Sequence, residues 1–138
     1  MESASDFRFE ELLNKTVLGD SLQVLRGLPS ESVDLLFLDP PYNQDKNFNG
    51  LKFKATSDQG YFDYLRDWFP EFQRILKPTG SVYLCGDWKN TSVLYELMKA
   101  HFEVMNRITW QREKGRGAKS NWKNASEDIW FGVKDKNK

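Results

Sequence analysis

The sequence is poor in the residues that build metal sites and hydrolytic triads. It contains one cysteine, Cys85, and one histidine, His101, in 138 residues. A disulfide within the chain is therefore excluded, and Cys and His cannot form a cluster with metal-ligand spacing. A Ser-His-Asp or Cys-His hydrolase would depend on His101 alone, which makes these classes poor candidates. Cys85 stands in an apolar run, which predicts a buried structural thiol.

Long apolar runs and a net charge are also absent. No apolar run reaches the roughly 18 residues that a membrane span needs, and the first residues do not resemble a signal peptide, so we expect a cytoplasmic protein. Lys plus Arg equals Asp plus Glu at 20 each, yet residues 105–138 hold nine basic and four acidic side chains. This basic end suits contact with the phosphates of a nucleic acid.

The length of the chain predicts one domain, residues 1–138, with a modest core. Residues 1–14 are polar and acidic with scattered apolar side chains, and we interpret them as a segment lying on the surface.

One stretch carries the clearest chemical signal. Residues 33–38 are almost entirely apolar, which is typical of a strand buried on both faces in a parallel sheet. The strand stops at Asp39-Pro40-Pro41-Tyr42, because the two prolines lack backbone N–H donors and hold the chain extended. In open α/β sheets, ligands bind at this carboxyl edge.

The residues at this edge suit an amino group on a planar ring. The carboxylate of Asp39 and the carbonyl of Pro40 can accept its two hydrogens. Tyr42 offers a flat face for stacking, and we expect its hydroxyl to stay near water. The alternative is a strand-ending turn with an Asp for solubility and a Tyr for packing.

At these residues the sequence resembles the DNA amino-methyltransferases, which transfer a methyl group from S-adenosylmethionine to adenine N6 or cytosine N4. Their signature is Asp/Asn/Ser-Pro-Pro-Tyr/Phe, and the form Asp39-Pro40-Pro41-Tyr42 is commoner in adenine-specific members. The resemblance implies that these four residues are catalytic and that Asp39 also lies beside the cofactor. It implies an α/β fold with a partial Rossmann-like methyltransferase sheet, mostly parallel with a C-terminal antiparallel hairpin, and helices on both faces.

Before the motif, Thr16-Val17-Leu18 predicts a short strand that ends at Gly19-Asp20, followed by a helix over residues 21–26. Asp20 has two interpretations. It can cap this helix, or it can reach the cofactor, as the resemblance implies for a Gly-Asp at this position.

After the motif, residues 43–60 are polar and predict a loop. The resemblance implies that this segment covers the flipped base and touches DNA, and Asn43 and Lys46 are our candidates for that contact. The alternative for each residue is a solvated loop position.

The remaining elements follow from hydrophobic periodicity and turn residues. We predict a helix over 61–76 that Pro70 kinks or splits, a turn at 77–80, a strand over 81–87, a helix over 90–101, and strands over 102–110 and 126–133.

Between the last two predicted strands lies a basic loop, residues 111–123, with two glycines. Such a loop can follow a phosphate backbone, and a tryptophan there can stack on a base. Its likeness to a Trp-x-Lys/Arg loop before a Ser-x-Glu strand in the family implies DNA contact by Arg112, Lys114, Arg116, Lys119, Trp122 and Lys123.

The resemblance extends from about residue 15 to residue 134, but the family's Gly-rich cofactor turn, commonly Phe-x-Gly-x-Gly, is missing. One branch of the family is permuted, with the catalytic half first, and the chain resembles that half. This implies a shared S-adenosylmethionine site, double-stranded DNA as a partner, and a complementary chain that carries the cofactor turn and the target-recognition region.

Two alternatives remain beside adenine N6 methylation. Cytosine N4 methylation would use the same pocket geometry on a smaller ring. A methyltransferase-like subunit that only binds DNA or a partner would explain the missing cofactor turn.

Overall fold

A computed structural model describes residues 9–116, 120 and 122–138. The described helices are α1 (Phe9–Leu12), α2 (Ser21–Gly27), α3 (Asp58–Arg66), α4 (Phe69–Ile75) and α5 (Thr91–His101). The described strands are β1 (Val33–Leu38), β2 (Lys46–Phe48), β3 (Leu51–Phe53), β4 (Leu76–Gly86), β5 (Glu103–Arg116) and β6 (Asn124–Val133). None of the described helices is long and apolar enough to span a membrane.

The main sheet is mixed, with the strand order β1-β4-β6-β5. The β1–β4 pair is parallel because helices α3 and α4 form the crossover between them, whereas β4–β6 and β5–β6 are antiparallel. The predicted C-terminal antiparallel hairpin is therefore present as β5–β6. The prediction of a mostly parallel sheet does not hold for the described strands, since one pairing of three is parallel.

A single core lies between this sheet and the helices. Leu36, Val82 and Leu84 face it from β1 and β4, and they meet buried side chains of α3, α4 and α5. The predicted inward residues of α5 are all buried: Val93, Leu94, Leu97 and Met98. Helices α4 and α5, which contact the sheet, contribute to this same core, so the expected helices on both faces are not seen among the described residues.

No described helix packs on the opposite face of the sheet. Phe37, Tyr83 and Phe131 form an aromatic row there, with ring centroids 6.4 Å apart for the first pair and 4.9 Å for the second. Leu35 and Phe37 are 55% and 63% exposed. We predicted that β1 is buried on both faces, and this is wrong, because β1 is an edge strand with one covered face.

The other helix predictions are confirmed with small shifts. Pro70 lies in the first turn of α4 and separates it from α3, as its missing N–H requires. Asp20 caps α2, since its carboxylate accepts a hydrogen bond of 3.0 Å from the backbone N–H of Gln23. The predicted strand at Thr16-Val17-Leu18 is absent, and Leu18 is fully exposed, because no described strand offers it a partner.

Two predicted connections proved to be strand. The turn expected at 77–80 falls within β4, at an irregularity where Val33 pairs with Leu76 but Leu35 pairs with Ser81. The basic loop is shorter than predicted, since β5 continues to Arg116 past a second irregularity. In both places, extra residues bulge from a ladder that the flanking residues maintain.

Candidate active site

The Asp39-Pro40-Pro41-Tyr42 motif lies at the carboxyl end of β1, beside the end of its parallel neighbour β4. Pro40 is buried and the carboxylate-bearing Asp39 is exposed. The hydroxyl of Tyr61, a buried residue of α3, donates a hydrogen bond of 3.1 Å to the carbonyl of Pro41. This bond anchors the second proline of the turn. It uses neither of the two acceptors that we assigned to an amino group, the carboxylate of Asp39 and the carbonyl of Pro40.

Tyr42 is fixed by a residue far away in sequence. Its hydroxyl donates a hydrogen bond of 2.8 Å to Oε2 of Glu127 on β6. Burial, this hydrogen bond and the nearby carboxylate of Asp39 all raise the pKa of Tyr42 above its ordinary value, so the phenol stays protonated. Our expectation that the hydroxyl stays near water is wrong, because it donates its hydrogen bond to the carboxylate of Glu127, which is itself partly buried.

Glu127 is held in turn by Arg112 of β5. Nη1 of Arg112 lies 2.9 Å from Oε1 of Glu127, and Nη2 donates a hydrogen bond of 3.3 Å to the carbonyl of Ser126. The side-chain amide of Asn124 also donates a hydrogen bond to the carbonyl of Ser126. The guanidinium that we assigned to DNA is therefore paired with Glu127 inside the candidate site, and the Arg112 side chain is 22% exposed.

Two cavities meet at the motif. A cavity of about 370 Å³ is lined by Asp39, Pro40, Pro41, Tyr42, Lys46 and Phe53. A second, of about 720 Å³, shares three of these residues and is also lined by Asn43, Gln44, Asp45, Ala55, Asp87, Trp88, Lys89, Arg112, Trp122, Asn124 and Glu127. Asp39, Tyr42 and Lys46 border both cavities.

The segment after the motif is an anchored hairpin, β2–β3, where the sequence predicted a loop. The side chain of Asn43 donates to the carbonyl of Thr56 at 2.8 Å and accepts from its N–H at 2.7 Å. At the tip, Asn49 and Gly50 have φ of 48° and 100°. Asn-Gly is the strongest short hairpin signal because both turn positions need positive φ, and it could have predicted this element.

A buried carboxylate supports the other side of the site. Asp87, 7% exposed at the end of β4, accepts from the Asn90 amide at 2.7 Å and the Gln44 amide at 2.9 Å. Sequence reasoning missed Asp87 and Gln44 as site residues. An acid directly after a buried parallel strand was the available signal for Asp87.

Cys85 is a buried free thiol, as predicted. Burial, with smaller effects of the carboxylates of Asp39 and Glu127, raises its pKa to about 11. Among the described residues, no group of three His, Cys, Asp or Glu side chains could hold a metal ion.

The other predicted site residues are scattered. Lys46 and Trp122 line the larger cavity, Trp122 is almost fully exposed, and Lys123 is exposed. Lys114 and Arg116 belong to β5, but their side chains are outside the described part, and Lys119 lies outside the described residues. Asp20 lines neither cavity.

The fold and site define an α/β protein with an Asp-Pro-Pro-Tyr turn at a strand's carboxyl edge, beside two cavities. A family described as DNA methylase, covering the N6 and N4 enzymes, matches residues 33–138. The chain therefore belongs to the DNA N6-adenine/N4-cytosine methyltransferase family.

Two curated relatives illustrate the match. The chain is 37% identical to the DNA adenine methyltransferase YhdJ of Escherichia coli (strain K12) over 88% of its own length and 42% of that protein. It is 32% identical to the type II methyltransferase M.BamHI of Bacillus amyloliquefaciens, over 88% of its length and 29% of the relative. The chain thus spans less than half the length of the curated relatives it matches.

Solved structures share the fold. PvuII DNA methyltransferase, which is cytosine-N4-specific, superposes with a TM-score of 0.66 at 22% identity, over 85% of this chain and 48% of that one. A protein of Thermus thermophilus, described as a DNA modification methylase complexed with S-adenosyl-L-methionine, gives a TM-score of 0.65 at 20% identity, over 86% of this chain and 52% of that one.

Proposed function

We propose that the chain carries the catalytic half of a DNA methyltransferase, which transfers a methyl group from S-adenosylmethionine to the exocyclic amino group of a flipped base, adenine N6 in preference to cytosine N4. The observation that carries this is the position of Asp39 and Tyr42 where two cavities meet. A base and a methyl donor must meet at one point, and these two residues border both spaces. The 37% identity to an adenine methyltransferase supports the choice of base.

The chain's own groups orient the amino nitrogen. The carboxylate of Asp39 and the carbonyl of Pro40 accept its two hydrogens, and the ring of Tyr42 stacks on the base. The amino nitrogen is thereby held with its lone pair directed towards the methyl group that the donor would supply. The carboxylate of Asp39 stabilises the positive charge that develops on this nitrogen. S-adenosylmethionine would supply an electrophilic methyl group when bound.

The described residues fit only part of that cofactor. The acidic Asp39 beside the small cavity suits a cationic sulfonium, but Asp20 does not line it, and the sequence has no Gly-rich turn for the methionine part. We therefore propose a complementary polypeptide that carries this turn and the target-recognition region. The open edge of β1 and the exposed Leu35 and Phe37 support it, because such an apolar strand is normally covered.

The isolated chain should bind S-adenosylmethionine weakly or not at all. The Gly-rich turn that would hold the methionine part of the cofactor is missing from the sequence. Isothermal titration calorimetry with the isolated chain measures this affinity directly. Tight binding at micromolar concentrations would show that the chain needs no second half.

The function itself is tested by methylation of double-stranded DNA with and without the complementary polypeptide. The complementary polypeptide can be supplied in two ways, as the product of the adjacent reading frame or as the part of YhdJ beyond the matched region. Digestion of the DNA to nucleosides should give N6-methyl-2′-deoxyadenosine. N4-methylcytosine would correct the choice of base, and absence of any methylated base would favour the non-catalytic alternative.

The proposed DNA surface is the β5–β6 hairpin together with the β2–β3 hairpin. Trp122 and Lys123 are exposed on the first, and Asn43 and Lys46 lie at the foot of the second. We assign Lys114, Arg116 and Lys119 to the same surface from the basic sequence alone. Arg112 borders this surface but acts from inside the site, through Glu127.

A further inference from the structure

We propose that Glu127 is a positioning residue for Tyr42, and that Arg112 holds Glu127 in place. In this arrangement, the position of the ring on which the base stacks is set from strand β6 before any ligand arrives. The inference rests on the proposed methyl transfer, whose catalytic motif includes Tyr42.

The carboxylate of Glu127 contacts Tyr42 on one side and Arg112 on the other. One carboxylate oxygen accepts from the Tyr42 hydroxyl at 2.8 Å, and the other lies 2.9 Å from Nη1 of Arg112. Because both oxygens are engaged, the carboxylate cannot rotate without breaking one contact. Arg112 and Glu127 are 22% and 27% exposed, so water competes weakly and these charge-assisted contacts are strong.

The hydrogen bond to Glu127 fixes the direction in which the Tyr42 side chain points. The prolines before Tyr42 restrict its backbone, and holding the hydroxyl oxygen at Glu127 holds the torsion about the Cα–Cβ bond. The hydroxyl oxygen lies on the axis about which the ring rotates, so the bond sets the position of the ring and not the angle of its plane. The ring position and the acceptors on Asp39 and Pro40 are then aligned in advance, which reduces the ordering needed on binding.

Glu127 lies outside the apolar core, so its positioning role can be tested apart from a role in folding. Glu127 lines the larger cavity, and it is not a member of the buried core. Its removal takes away the contacts to Tyr42 and Arg112, while the apolar packing between sheet and helices is kept.

The chain alone provides a first test. Incorporation of 3-fluorotyrosine labels five tyrosines, and Tyr42→Phe identifies the resonance of Tyr42. In Glu127→Ala this resonance should shift and titrate at lower pH than in the wild type, because an acceptor and a negative charge are lost. Glu127→Gln keeps an acceptor oxygen, so its Tyr42 resonance should lie between those of the wild type and Glu127→Ala. Glu103→Ala, which removes a carboxylate paired with Lys136 at the far end of the sheet, should leave the resonance unchanged.

The completed enzyme provides the second test. In Glu127→Ala, kcat should fall on the order of 100-fold with little change in KM for DNA, the effect expected when a reacting group is displaced by about 1 Å. Glu127→Gln should recover part of the rate. In a double-mutant cycle, Tyr42→Phe with Glu127→Ala should be no slower than the worse single variant, since both remove one contact.

The outcomes are distinguishable from failure of the proposed function. An unchanged Tyr42 resonance in Glu127→Ala, or additive losses in the double variant, would overturn the positioning role alone. Absence of methyl transfer by the wild-type completed enzyme would overturn the proposed function. Loss of folding in Glu127→Ala, seen by circular dichroism, would mean that Glu127 is structural and would also overturn the positioning role.

Discussion

Replacing Asp39 by alanine is expected to abolish methyl transfer by the completed enzyme while its affinity for DNA stays largely intact. The carboxylate is the charged acceptor at the motif, and loss of one preorganised electrostatic group costs on the order of 100- to 1,000-fold in kcat. Asp39 is exposed after the end of β1, so its removal should not unfold the chain. Transfer of tritium from labelled S-adenosylmethionine to DNA measures the rate, and gel shift measures the affinity.

Two variants control this experiment. Asp34→Ala removes a carboxylate from β1, the strand that Asp39 follows, and should keep the full rate, because Asp34 is 76% exposed and paired with Lys77. Asp39→Asn keeps one oxygen acceptor without the charge, and should retain more activity than Asp39→Ala. A near-normal tritium rate in Asp39→Ala would remove Asp39 from the catalytic assignment.

Replacing Phe37 by aspartate is expected to prevent association with the complementary polypeptide, and hence activity. Phe37 begins the aromatic row with Tyr83 and Phe131 on the open face, and burying an unpaired carboxylate there would cost several kcal/mol. Because Phe37 is 63% exposed, the thermal melt of the chain alone should change little. Size-exclusion chromatography of the mixture measures association.

Leu13→Asp is the matched control for this surface. Leu13 is 52% exposed and lies outside the main sheet, so the same change of charge there should leave association unaffected. If the Phe37 variant associated as tightly as the wild type, the open face would not be the docking surface.

Local sequence signals predicted the parts of the fold that local physics determines. Apolar periodicity located α5, a proline located the break between α3 and α4, and an aspartate located the cap of α2. The buried thiol of Cys85 and the Asp-Pro-Pro-Tyr turn at the strand's end were predicted in the same way.

The remaining features depend on what lies beside each element. The apolar pattern of β1 is that of a strand covered on both faces, but whether a neighbour is present cannot be read from the strand itself. Thr16-Val17-Leu18 has the composition of a strand and no described partner. The contact of Tyr42 with Glu127 joins residues 85 positions apart, and no spacing in a single sequence indicates it.

The reactivity of Cys85 can report on structural changes around this thiol. Because it is the sole cysteine, buried, and carries a thiol whose pKa is raised to about 11, it should be alkylated slowly in the closed protein. Cys85 lies near the end of β4, the parallel neighbour of the strand that the motif follows. The alkylation rate of Cys85 then measures how often the structure around this thiol opens to the reagent. A bound ligand that stabilises this region would lower the rate and be detected without any label.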